Sequence, residues 1–195
     1  MTAPLPSRRP AWLTLSNGLT SMRLLAAPVF FCWVVEGAWI AACVIFWLAV
    51  ASDLVDGRLA RARGETSVFG GVLDHGSDAL FVTLGQAALV AGGQAPALLP
   101  VLIALAFVQY VLDSRSLAGR ALRTSFLGRW NGILYFVPPG VVVTREALGL
   151  DAPPDALVLS AAWLLVGTTA ISMAERLLVL LTRRTPPRPG PPPAE

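Results

Sequence analysis

The sequence predicts an all-α, polytopic membrane protein of six transmembrane helices behind an N-terminal interfacial segment, and three observations carry that prediction. Hydrophobic residues make up 55% of the 195-residue chain and charged residues only 14%, whereas about a quarter of the residues of a soluble domain are charged. Six apolar runs follow one another at 19–35, 38–55, 68–91, 97–112, 133–144 and 156–181, and a helix of about 20 residues crosses a hydrocarbon core of ~30 Å. The basic residues, fifteen arginines with no lysine, gather on one side of such a bundle, as the positive-inside rule requires.

Residues 1–16 hold Pro4, Pro6 and Pro10 with Arg8 and Arg9, then Trp12 and Leu13, which suits a segment lying at the membrane surface. Asn17 caps the first span. Arg23, one turn inside it, has two readings: it snorkels to the headgroups, or it faces a group of acids or a phosphate. Residues 58–67 are short and polar and predict a tight hairpin between spans 2 and 3. Gly92-Gly93-Gln94-Ala95-Pro96 reads as an outer turn. Residues 113–130 form a second basic connection carrying Arg115, Arg120, Arg123 and Arg129. Pro138-Pro139 must kink or end the fifth span. Residues 151–155, with Pro153-Pro154, are the last outer loop, and 183–195 is a disordered Pro-rich tail.

This divides the chain into the segment 1–16, a six-helix domain at 17–182 and the tail 183–195. Arg145 is the only basic loop residue on the outer side, so both termini are expected in the cytoplasm, with the chain multi-pass in the cell (inner) membrane. The basic face implies a lipid bilayer with anionic headgroups as partner, not nucleic acid. Cys32 and Cys43 fit no zinc spacing and read as packing residues. Six spans leave no room for a soluble catalytic domain, so chemistry lies within or beside the helices.

Four aspartates mark where. Asp53 and Asp56 precede the hairpin, Asp74 and Asp78 follow it, and both outer and inner pairs centre on Gly64-Glu65. On antiparallel helices that symmetry gives equal depth, and spacings of i,i+3 and i,i+4 give one face. Ionised acids at such depth cost ~2.5 kcal/mol or more each, so protonation, arginine or divalent cations must compensate. Arg61 alone is placed to pair with them, and one arginine does not neutralise four charges. Oxygen-only ligands favour two Mg²⁺ or Mn²⁺ ions, and paired metals suit phosphoryl transfer. Gly57 and Ala60 would let a bulky anion approach the helix and Arg61 would reach its phosphates, although small residues, Gly70-Gly71 included, also serve close helix packing. A cation transporter would explain the acids but not Gly57, Ala60 and Arg61 at their spacing.

Asp53-Leu-Val-Asp56-Gly57-Arg-Leu-Ala60-Arg61, continued by Gly70, Asp74 and Asp78, resembles the signature of the CDP-alcohol phosphotransferases, with Asn17, Thr20 and Arg23 matching that family's Asn-x-x-Thr-x-x-Arg start. The resemblance implies a six-helix membrane domain in which Asp53, Asp56, Asp74 and Asp78 hold two Mg²⁺ or Mn²⁺ ions and Asp78 is also the general base. It implies a CDP site lined by Gly57, Ala60, Arg61, Ser67 and Gly70 with Asn17 and Thr20 nearby, and a homodimer. The implied activity transfers a phosphatidyl group from a CDP-linked lipid, CDP-diacylglycerol first, to an alcohol acceptor with release of CMP. A phosphorylated acceptor such as glycerol 3-phosphate needs further cations, for which Arg115, Arg120, Arg123, Arg129 and Arg176 are the candidates. Asp74-His75-Gly76-Ser77-Asp78 looks more like the choline and ethanolamine phosphotransferases, so an aminoalcohol phosphotransferase using CDP-choline or CDP-ethanolamine with diacylglycerol is the alternative. His75 is a proton relay beside Asp74 and Asp78 or a structural polar residue.

Overall fold

The structure, a computed structural model, describes residues 15–63, 68–116 and 126–183. Among the described residues there are α-helices and no strand: α1 (Leu15–Val35), α2 (Trp39–Arg63), α3 (Val68–Ala91), α4 (Leu98–Ser116), α5 (Phe126–Leu134), α6 (Val137–Leu148) and α7 (Asp155–Arg183). The expectations for the interfacial segment before residue 15, the tail after Arg183 and the hairpin centre at Gly64-Glu65 lie outside the described residues.

The fifth expected span is two helices, because Pro138 and Pro139 have no N–H to donate to the carbonyls of Leu134 and Tyr135 one turn earlier. Both prolines stand in the first turn of α6, where a missing donor costs nothing. Gln86 of α3, fully buried, takes over one orphaned carbonyl: its Nε2 donates to Tyr135 O at 2.9 Å. The Tyr135 hydroxyl shares a hydrogen bond of 2.8 Å with Thr169 Oγ1 of α7. Helical bonding resumes where Gly140 N donates to Phe136 O at 3.1 Å.

Two polar stretches expected as connections are partly helical. α2 continues to Arg63, α4 to Ser116, and α5 starts at Phe126. The extension of α2, Arg58-Leu59-Ala60-Arg61-Ala62-Arg63, is built from strong helix formers, so charge there does not mark the helix end.

α1 packs against both α2 and α3; α3 packs on α4, α4 on α7, α7 on α6, and α6 closes back on α2. α5 lies on α7. Phenylalanines from separate elements meet in the middle: Phe30 and Phe81 stack at 5.0 Å, and Phe46 and Phe136 sit at 5.7 to 6.3 Å from their neighbours in the cluster. The backbone of α6 approaches this cluster so closely that a Cβ on Gly140 would stand 2.7 Å from the Phe46 ring. At the end of the bundle away from the aspartates, Arg145 donates to Pro153 O, Glu146 and Asp155, and Gln94 also donates to Asp155. The turn after α1 closes through Gly37 at φ +74°, with Ala38 N donating to Trp33 O at 2.8 Å, the left-handed cap that glycine favours.

Among the described residues, one stretch, Asp155–Val179, is long and apolar enough to cross a membrane, and Thr20–Val35, Trp39–Leu54 and Leu98–Asp113 are shorter apolar helices. Large apolar side chains point outward around the bundle, among them Met22, Leu25, Ile40, Leu48 and Leu164, each over 60% exposed.

Candidate active site

Asp74 and Asp78 lie one turn apart on α3 and therefore share a face. Asp53 of α2 completes a group whose carboxylate oxygens all lie within 4.8 Å of one another. α1, seated between α2 and α3, inserts Arg23 among them. Its Nη1 lies 2.6 Å from Asp78 Oδ1 and 3.3 Å from Asp74 Oδ1, and its Nη2 lies 3.3 Å from Asp53 Oδ1. Nη1 also donates to Ser77 Oγ at 3.3 Å, and Ser77 Oγ donates back to Asp74 O at 2.8 Å.

The Arg23 side chain is 1% exposed, while those of Asp53, Asp74 and Asp78 are 43%, 37% and 29% exposed. Each acid thus has a face on the guanidinium and a face still open. This corrects the expectation that Arg61 alone can pair with the cluster: the arginine found there is Arg23, which faces the acids and does not snorkel away from them. The available signal was a single charge in the apolar part of α1, whose helix offers no acid, so its partner had to come from neighbouring helices.

Beside the acids opens a cavity of about 640 Å³. Asp53, His75 and Asp78 line it from α2 and α3, Tyr110 from α4, Gly128 and Arg129 from α5, and Arg176 from α7. The His75 ring stacks on Tyr110 with centroids 5.6 Å apart and planes 10° apart. On the same tyrosine, the Arg176 guanidinium carbon stands 5.6 Å from the ring centroid. Tyr110 and Gly128 were not singled out in the sequence; a tyrosine within the apolar run of α4 was the only signal for the former.

The structure therefore brings Asp53, Asp74, Asp78, His75, Arg129 and Arg176 to one cavity and its rim. Thr20 is buried on α1 one turn before Arg23. Asn17 falls on α1, Asp56, Gly57, Ala60 and Arg61 on α2, Gly70 on α3 and Arg115 on α4, all with side-chain positions outside the description. Ser67, Arg120 and Arg123 lie outside the described residues.

A family model, CDP-alcohol phosphatidyltransferase, matches residues 13–174. Three curated proteins are similar to the chain. A cardiolipin synthase (CMP-forming)/mitochondrial hydrolase fusion protein of Schizosaccharomyces pombe is 29% identical over 179 residues, 82% of this chain and 29% of that protein. A CDP-diacylglycerol–glycerol-3-phosphate 3-phosphatidyltransferase of Pseudomonas fluorescens is 33% identical over 81 residues, 40% of this chain and 42% of that one. A probable phosphatidylglycerophosphate synthase of Mycobacterium tuberculosis is 29% identical over 179 residues, covering 84% and 81% of the two chains. The match thus spans less than half of the first two relatives and most of the third.

Proposed function

Because the chain belongs to the CDP-alcohol phosphatidyltransferase family, we propose that it is an integral-membrane transferase that moves a phosphatidyl group from CDP-diacylglycerol to a glycerol 3-phosphate-like acceptor and releases CMP. One observation carries the reading. Carboxylates with oxygens within 4.8 Å of one another border a cavity that also receives Arg129 and Arg176. Groups that suit a metal-bound diphosphate and cations that suit a second phosphate share one chamber. The names of the bacterial relatives support the acceptor class.

The donor set fits a divalent metal: among the described residues three carboxylates face one guanidinium, and oxygen-only ligands select Mg²⁺ or Mn²⁺. Asp53, Asp56, Asp74 and Asp78 would hold two such ions, which when bound neutralise and polarise the donor's diphosphate. Asp78 is the base. Arg23 holds its Oδ1, fixing the carboxylate at the cavity wall, where it takes the proton of the acceptor hydroxyl. The acceptor oxygen then bonds to the phosphatidyl phosphorus as the P–O bond to CMP breaks, and CMP leaves with the electron pair. By the family resemblance, Gly57, Ala60, Arg61, Ser67 and Gly70 would line the nucleotide site, with Asn17 and Thr20 near it.

The outward apolar side chains support a multi-pass bundle in lipid, and the arginine distribution supports cytoplasmic termini. A homodimer follows from the family resemblance. Arg23 on the acids and Arg129 and Arg176 in the cavity wall oppose a permeating cation, which disfavours the transporter reading.

The test is CMP release by purified protein given CDP-diacylglycerol with glycerol 3-phosphate, inositol phosphate, phosphatidylglycerol or serine, and given CDP-choline with diacylglycerol. Glycerol 3-phosphate is expected to be the best acceptor, with turnover stopped by chelator and restored by Mg²⁺ or Mn²⁺. No CMP from any CDP-diacylglycerol pair sinks the reading, and CMP from CDP-choline transfers it to the aminoalcohol class.

A further inference from the structure

We propose that Tyr110 and Gly128 are positioning residues for Arg176 and so set the affinity for the phosphate-bearing acceptor, an assignment that rests on the acceptor reading above. Arginine is a long side chain with several rotatable bonds, and aiming it into a cavity requires that something hold it. Two helices do so from different directions.

From α4, the Tyr110 ring stands under the Arg176 guanidinium at 5.6 Å, within reach of a cation–π attraction. The ring is itself backed by His75 of α3, stacked at 5.6 Å and 10°. α3, α4 and α7 therefore meet at the Tyr110 ring. From α5, the contribution is the absence of a side chain. A Cβ on Gly128 would lie 3.0 Å from Arg176 Nη2 and 3.0 Å from Ser172 Oγ, a contact tight enough that these two side-chain ends would have to give by a few tenths of an ångström. The guanidinium packs directly against this glycine, and all of these residues line the same cavity.

The glycine gives the idea a distinctive signature. Alanine is the better helix former, and the two atoms in its way are ends of flexible side chains, so Gly128→Ala is expected to cost the fold little. As a positioning change it displaces Arg176.

The experiment is steady-state CMP release by the full chain, varying CDP-diacylglycerol and glycerol 3-phosphate separately, with thermal unfolding measured alongside. Gly128→Ala and Tyr110→Leu are expected to raise the acceptor KM roughly tenfold, leaving the donor KM unchanged. Tyr110→Phe, which keeps the ring, is expected to hold the wild-type acceptor KM, and Gly128→Ala to melt near the wild type. Wild-type acceptor KM in Gly128→Ala, or equal losses in donor and acceptor KM, overturns the assignment whether or not Tyr110→Leu folds. A wild type that does not use glycerol 3-phosphate overturns the acceptor reading and this assignment with it; a wild type that does, with variants like it, overturns the assignment alone.

Discussion

Replacing Arg23 with methionine removes the guanidinium shared by Asp53, Asp74 and Asp78 while keeping a long side chain in a position only 1% exposed. Truncating one partner of a buried ion pair costs ~3–5 kcal/mol, chiefly because the other charge is left uncompensated. Here Asp53 and Asp74 are more than a third exposed, and water offsets much of their loss. Asp78, 29% exposed and 2.6 Å from Nη1, carries most of the effect, which places it at the lower end, about 3 kcal/mol. A ligand at a hundred times its Kd returns ~2.7 kcal/mol to the form that binds it, and removing a positive charge from the cluster strengthens its hold on a divalent cation. Arg23→Met is therefore expected to melt well below the wild type in chelator, and the gap is expected to narrow as Mg²⁺ or Mn²⁺ is added. Thermal unfolding in detergent across a metal titration reads both effects. Equal melting in chelator, or a gap that no concentration of divalent cation changes, refutes the reasoning.

Asp78→Asn keeps the shape of the side chain and an oxygen for Arg23 but removes the base; CMP release is expected to fall ~10²- to 10⁴-fold with the fold retained, and a wild-type rate removes Asp78 from that role. Arg61→Ala is expected to raise the donor KM about tenfold, whereas an unchanged value puts the nucleotide elsewhere. Gly140→Ala drives a methyl to 2.7 Å from the Phe46 ring, and such overpacking costs ~1–3 kcal/mol, so it should lower the melting temperature; unchanged melting would show that the ring yields freely.

The acids were legible because helical spacing converts into position: one turn puts Asp74 beside Asp78, and Asp53 of α2 comes to the same place, as equal distance from a turn between two antiparallel helices predicts. Arg23 was visible only as a charge in need of a partner. Its place depends on α1 lying between α2 and α3, a packing choice that no local spacing encodes. The break before α6 could be read from Pro138-Pro139, but not its repair by Gln86, since a polar residue in an apolar run announces a need without naming what meets it. The polar ends of α2 and α4 were misread for a simpler reason. Charge alone does not end a helix, and the arginine, leucine and alanine after Asp56 continue it. The meeting of His75 and Arg176 at Tyr110 draws on three helices distant in sequence, and only their assembly makes it visible.

α1 does more than fill the space between its neighbours. Arg23 comes before Asp53, Asp74 and Asp78 in the chain, so a bundle built from its N-terminus lays down the counter-charge first. In the membrane bundle proposed above, the acids would then emerge from the ribosome after the cation that compensates them. Exchanging the order of these segments would keep every contact of the finished site and lose that order of arrival.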